Sequence, residues 1–367
     1  MIVDGHAHAF PRLGAGAGFR SPDEHRRYLQ RHMSTHPQGG RRARDNAPVS
    51  GEMLRNPDSD DLDALPDINF RVGNFGRLEW DAPMGVDRQG EPCYLQFLPP
   101  HLEDTTARPE RMLAQMQYLG VDRALLQSGR LYGITNRYLA EVVGRWPDRF
   151  RGCATVDEAR ADEQIGALRE AVGGLGLSAL YFSNDGFAAA NYERHFDDRR
   201  YFPFWEAVEA LGVPVLWDIR FALRRGQADY MAEAARLRGH LRRFPRIENV
   251  LTHGLPASAF DGGRIPDDLW ATLREPNLTV ELLFPLLHGA TWEYPYREAQ
   301  AIVRDLHGRL GPTKLLWGSD LPNVERSCTY RQSLDYLRRH CDFIPPADLD
   351  LIVGGNADRL YFRSGGS

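Results

Sequence analysis

From Pro109 onward, short apolar strand-like runs alternate with helix-like stretches almost without exception, and this alternation constrains the fold more than any other feature. The strand-like runs are Val121–Gln127, Phe150–Val156, Leu177–Ser183, Gly212–Asp218, Asn249–His253, Leu278–Phe284 and Lys314–Asp320. Helical patterns fall at Pro109–Leu119, Asn136–Trp146, Asp162–Val172, Phe202–Leu211, Tyr230–Phe244, Asp267–Leu273, Arg297–Leu310 and Tyr330–Cys341. Strands that are apolar throughout, rather than alternating, belong to a parallel sheet covered on both faces. With the opening run Ile2–His8 the count is eight strands, and eight such units close as a (β/α)8 TIM barrel. A doubly wound open sheet is the competing topology, but no GxGxxG follows the first strand. The last helix, Asp348–Phe362, is expected to pack on the outside of the barrel.

The stretch between the first strand and Pro109 breaks the rhythm. Residues Arg12–Pro66 are rich in Gly, Arg, Asp and Pro, with a helical pattern at Pro22–Met33, and strand-like runs follow at Phe70–Val72 and Cys93–Phe97. The expected organisation is therefore a barrel domain of residues 1–11 and 109–367, carrying an inserted segment of residues 12–108 with a small β-hairpin. Loops of this length without structure of their own are uncommon in compact domains. The segment leaves the barrel just after His8, so it is expected to act as a cap over the mouth or as the interface of a homodimer.

Composition narrows the class. A 42% hydrophobic and 26% charged chain is ordinary for a soluble globular enzyme, and a net charge of -5 disfavours a nucleic-acid partner. No apolar run of 18 residues is present, so no membrane span is expected. The four cysteines show no CxxC spacing, and the chain opens directly on a strand without a signal-peptide pattern; a cytoplasmic protein with reduced thiols is the expectation.

In a barrel of this kind the C-terminal strand ends face the active site. The residues found there are His6 and His8, then Asp218, His253, Glu281 and Asp320. His6 and His8 stand two apart on a strand and so point the same way. Imidazoles and carboxylates gathered from several strand ends suit one divalent metal, zinc or manganese, with coordination left open for chemistry. The loops beyond the strands add Arg130, Tyr132, Asn184, Arg220 and Asn323, with Glu281, as substrate contacts; Arg220, two residues past Asp218, suits a carboxylate.

These residues also carry a resemblance. Val3–His8, Val250-Leu251-Thr252-His253-Gly254 and Leu316–Pro322 resemble the first, sixth and eighth strand motifs of the amidohydrolase superfamily. Gly354–Tyr361 resembles the C-terminal helix of the amidohydrolase-2 branch, which contains aminocarboxymuconate semialdehyde decarboxylase. The resemblance implies that His6, His8 and Asp320 bind metal and that His253 is the acid/base or polarising histidine. It also implies a histidine ligand at the end of the fifth strand, where this chain has Asp218. Asp218 would then be a ligand with harder oxygen donors, favouring manganese-like ions, or a group behind the ligands.

The leading functional expectation is a metal-dependent hydrolase of a small, carboxylated cyclic compound, with Asp320 accepting a proton from water and His253 polarising the carbonyl. The alternative is a non-oxidative decarboxylase using the same metal and His253. A degenerate, ligand-binding barrel is the reading from outside enzymology, disfavoured because four such groups at one rim have no purpose without chemistry.

Overall fold

The computed structural model describes residues 1–362 except 35, 37, 38, 57, 60, 83–89, 190–192, 225, 254, 257–259, 261–263 and 285–290, and the side chains of 188, 189 and 224. Gly254 of the sixth-strand motif thus lies outside the described residues. The chain divides into two compact units, one of residues 1–8, 109–127 and 136–367, the other of residues 9–108 and 128–135.

The first unit is the barrel. Its strands are β1 (Val3–Ala7) and, after the insertion's β2–β6 given below, β7 (Arg123–Leu126), β8 (Phe150–Ala154), β9 (Ala179–Ser183), β10 (Val215–Asp218), β11 (Asn249–Leu251), β12 (Leu278–Leu282) and β13 (Leu315–Trp317). They pair in parallel in sequence order. A parallel bridge between Ala7 and Leu321, with the His8 N–H donating to the Leu321 carbonyl at 2.7 Å, joins the last strand's end to the first. The chain is thus a (β/α)8 barrel, as the alternation predicts.

The interior of the barrel is filled by Val3, Leu125, Cys153, Ala179, Tyr181, Leu216, Val250 and Leu316. The same cluster includes Ala357, Leu360, Tyr361 and Phe362 from the C-terminal helix. This corrects the expectation that the helix packs outside: its apolar face is buried against strand residues, and Gly354 sits so close to the Met1 carbonyl that any Cβ there would collide. An amphipathic helix has the same pattern whether it covers a barrel wall or plugs an end, so the sequence left this open.

The second unit is an antiparallel five-stranded sheet rather than one hairpin. Its strands are β2 (Gly40–Arg42), β3 (Pro48–Val49), β4 (Arg71–Val72), β5 (Arg77–Ala82) and β6 (Glu91–Gln96), in the order β3-β2-β6-β5-β4. In β5 Leu78 and Trp80 are buried, as are Cys93 and Leu95 in β6, the period-2 pattern of a sheet with one face covered. The helix Pro22–Met33 contributes Leu29 and Met33 to the same core. Ser21 caps that helix by accepting the Glu24 N–H at 3.1 Å. Among the described residues, no helix is long and apolar enough to cross a membrane.

Candidate active site

β1 carries Asp4, His6 and His8; its register shifts between Asp4 and Ala7, so His6 and His8 turn to the donors described below while Asp4 turns to Ser319 and Tyr330. All three are buried. The His8 Nδ1 lies 2.9 Å from the Gln127 carbonyl, an acceptor, so Nδ1 carries the proton and Nε2 offers its lone pair. The His6 Nδ1 lies 3.0 Å and 3.2 Å from the two oxygens of Glu281, which fixes the same tautomer. The two bare Nε2 atoms stand 3.1 Å apart, and the Asp320 Oδ1 is 2.7 Å from that of His8 and 3.7 Å from that of His6.

Two imidazole lone pairs and a carboxylate oxygen facing one another repel unless a cation sits among them. This donor set fits a divalent metal, with two nitrogens and an oxygen at the mutual spacing that bonds of about 2.1 Å produce. The electrostatics carry the same message. Burial pushes the His6 imidazole down, but the carboxylates of Glu281 and Asp320 outweigh it and hold His6 above its ordinary value, as surroundings that favour positive charge do. Burial works against the charge on Asp320 as well, yet His8 and His6 hold its carboxyl far below the usual range.

Asp320 is held by its backbone N–H, which donates to the His6 carbonyl at 2.8 Å, and by Asn323, whose Nδ2 donates to Oδ1 at 2.7 Å. Both Asp320 and His253 have left-handed backbones, with φ of 58° and 65°. Such conformations are unusual for these residues and recur where a side chain must be aimed at a site. His253 lies beside the donors: its ring is edge-on to His6 at 4.7 Å, and one nitrogen or oxygen each from His6, His253 and Asp320 falls within 4.8 Å of the others. Burial, with Arg220 and His6 nearby, drives His253 well below its ordinary value, so its imidazole is neutral.

Glu281 ties these parts together. Its Oε2 accepts the Thr252 hydroxyl and the His253 backbone N–H, both at 2.6 Å, in addition to the His6 Nδ1–H. A Cβ at Gly318 would run into the Glu281 carboxylate and approach the His6 Cβ to 2.7 Å, so glycine is required for close approach there. Asp4 does the same for the opposite side. It accepts the His6 N–H at 3.1 Å, the Ser319 N–H at 3.0 Å and hydroxyl at 2.5 Å, and the Tyr330 hydroxyl at 2.9 Å. Full burial raises the Asp4 carboxyl to about 6 despite those four donors. Sequence reasoning passed over Asp4, because the register shift between Asp4 and Ala7 breaks the alternation that would relate it to His6.

The other expected residues divide. Asp218 accepts the Arg220 Nε and Nη2, each at 3.0 Å, and the Tyr181 hydroxyl at 3.0 Å, and its Oδ2 is 3.5 Å from the His253 Nδ1. The Asn184 Nδ2 donates to the Ile219 carbonyl at 3.3 Å, beside the same strand ends. Arg130 and Tyr132 belong to the second unit, where Arg130 lies over the rings of Phe19 and Tyr28 and Tyr132 stacks on Phe10 at 4.4 Å.

Eight parallel strands with buried histidines and carboxylates gathered at their C-terminal ends define a barrel enzyme with a group of donors that could hold a metal ion. The chain belongs to the amidohydrolase family, whose model matches residues 3–363. It is 37% identical over 82 residues to gamma-resorcylate decarboxylase of Polaromonas sp. (strain JS666 / ATCC BAA-500), a match spanning 22% of this chain and 24% of that relative. Its fold is similar to that of 5-carboxyvanillate decarboxylase from Sphingomonas paucimobilis (21% identity, TM-score 0.53, covering 71% of this chain and 84% of that one). It is similar to a probable 2-pyrone-4,6-dicarboxylic acid hydrolase from Acinetobacter baumannii (17%, TM-score 0.56, 70% and 90%). It also resembles a dihydroxybenzoic acid decarboxylase from Polaromonas sp. JS666 with bound manganese and the inhibitor 2-nitroresorcinol (20%, TM-score 0.50, 70% and 86%).

Proposed function

We propose that this chain is a divalent-metal-dependent, non-oxidative decarboxylase acting on a small hydroxylated aromatic carboxylate. The observation that carries the reading is the identity to gamma-resorcylate decarboxylase, in a chain whose strand ends converge on a cation site. His6 Nε2, His8 Nε2 and Asp320 Oδ1 would hold the metal, manganese or zinc, and leave positions open for substrate. When bound, such an ion supplies Lewis acidity, drawing electron density out of the substrate's oxygens.

The chain's own residues do the rest. Neutral His253 accepts the proton of a substrate hydroxyl and returns it to the ring carbon as the bond from that carbon to the carboxylate breaks. The electron pair of the broken bond forms the new C–H bond, CO2 leaves, and the phenolate left behind regains a proton from solvent. Asp320, fixed by Asn323, keeps its charge throughout.

The test is incubation of manganese-loaded protein with gamma-resorcylate and 5-carboxyvanillate in D2O. CO2 should appear with one deuterium at the vacated carbon, and His253→Ala should slow release about a hundredfold. Silence on every hydroxybenzoate, with ring opening of 2-pyrone-4,6-dicarboxylate, would replace this reading by the hydrolase one. The hydrolase remains the second reading because a hydrolase shares the barrel at a TM-score of 0.56.

A further inference from the structure

The end of β10 holds Asp218 where the family resemblance implies a metal-ligating histidine, and its lone pairs are already taken. Oδ1 accepts the Arg220 backbone N–H at 3.1 Å and its Nε at 3.0 Å; Oδ2 accepts the Arg220 Nη2 and the Tyr181 hydroxyl, each at 3.0 Å. A carboxylate offers about four acceptor positions, so these four donors saturate it. Asp218 is buried, and burial raises its carboxyl, but Arg220 reverses the effect and holds it below the ordinary range, a charge answered by a guanidinium.

Arg220 is the other half of the device. Its Nε–Nη2 edge is spent on Asp218, while Nη1 makes no hydrogen bond among the described residues and the side chain is 28% exposed. The remaining Nη1–Nη2 edge has the two parallel donors that match a carboxylate. Its location is fixed by shared contacts: the Asp218 oxygen that accepts Nη2 is also 3.5 Å from the Nδ1 of His253, which stands in the donor cluster.

We infer that the fifth strand supplies an anion clamp instead of a metal ligand: Asp218 and Tyr181 lock the Arg220 guanidinium, and its free edge binds the substrate's carboxylate beside the metal. Asp218 and Tyr181 are positioning residues in this scheme. The inference rests on the decarboxylase reading only for the aromatic character of the ligand; the ligand's negative charge follows from the guanidinium itself. Because the guanidinium is pinned on one edge before substrate arrives, little conformational entropy is lost when the other edge binds.

The experiment measures manganese binding from the free-ion EPR signal and benzoate binding by calorimetry, neither of which needs turnover. Arg220→Gln should keep manganese affinity within about threefold and lose at least tenfold in benzoate affinity. Asp218→Asn should likewise keep its manganese. A tenfold loss of manganese affinity in Asp218→Asn would make Asp218 a ligand and overturn the inference, as would unchanged benzoate binding in Arg220→Gln. Should either variant fail to fold, the manganese-loaded natural protein decides: saturating benzoate should slow phenylglyoxal modification of Arg220, read by peptide mass, about tenfold. Equal rates with and without benzoate would overturn the clamp. Protection of Arg220 in a protein that releases no CO2 would remove the decarboxylase reading and leave the clamp standing.

Discussion

Replacing Glu281 by Gln changes one atom, yet it should weaken metal binding ten- to a hundredfold. The reason lies in which groups face the carboxylate. Oε2 receives one obligate donor, the His253 N–H at 2.6 Å, together with the Thr252 hydroxyl at 2.6 Å, so the Gln amide oxygen must take that place. The amide nitrogen then sits where Oε1 was, 3.2 Å from the His6 Nδ1. It cannot turn away, because Gly318 closes that side. Two N–H groups would face each other, and His6 relieves the conflict by moving its proton to Nε2, the atom that metal needs. Returning the proton breaks the amide N–H to Nδ1 bond and leaves buried donors facing each other, at a cost of about 1–3 kcal/mol, which brackets that range in affinity. Competition with a chelator of known affinity measures it, alongside a thermal melt to show the fold intact. A folded Glu281→Gln protein binding manganese within twofold of the natural one would refute the tautomer argument.

Other outcomes follow from the same geometry. The double variant His6→Ala, His8→Ala should contain no stoichiometric metal by elemental analysis, because two of the three donors are gone; full occupancy would exclude the assignment. Metal binding at neutral pH should release protons, since His6 is held above its ordinary 6.5 and must lose its extra proton to bind. The sign is definite: in metal-free protein the His6 contribution to stability is complete below about 6.5 and fades as pH rises through the raised value, while metal affinity climbs over that same window. Calorimetry in buffers of different ionisation enthalpy counts those protons, and a count of zero at pH 7 would contradict the reading. Asp4→Ala leaves two buried backbone N–H groups and two hydroxyls without their acceptor, and should destabilise the protein by at least about 2 kcal/mol, visible as a lower midpoint in urea.

The barrel was legible because parallel strands buried on both faces leave an unmistakable apolar run, and its metal candidates were legible because strand ends are where polar residues interrupt such runs. His6, His8, His253 and Asp320 all announced themselves that way. Asp4 did not, since a carboxylate inside a strand looks like any polar residue until its four partners, more than 300 positions away for Ser319 and Tyr330, are known. The pairing of Arg220 with Asp218 was within reach, two residues apart at the end of β10, but sequence cannot say whether such an arginine turns to its neighbour or to a ligand. The five-stranded sheet of the inserted unit was the hardest part: β2 and β3 are three and two residues long, too short for any periodicity to register.

The plugging of the barrel by its C-terminal helix bears on how the protein is made. His6 and His8 leave a ribosome before Glu281 and Asp320, and Tyr361 follows later still. Until those arrive, β1 has no β13 to pair with and the interior that Ala357, Leu360 and Tyr361 fill is open to water. The nascent chain therefore has no complete nest for an ion until Glu281 and Asp320 have been made. A metal entering this site would do so only once the barrel has closed, and so would reflect the ions available where the polypeptide completes its folding.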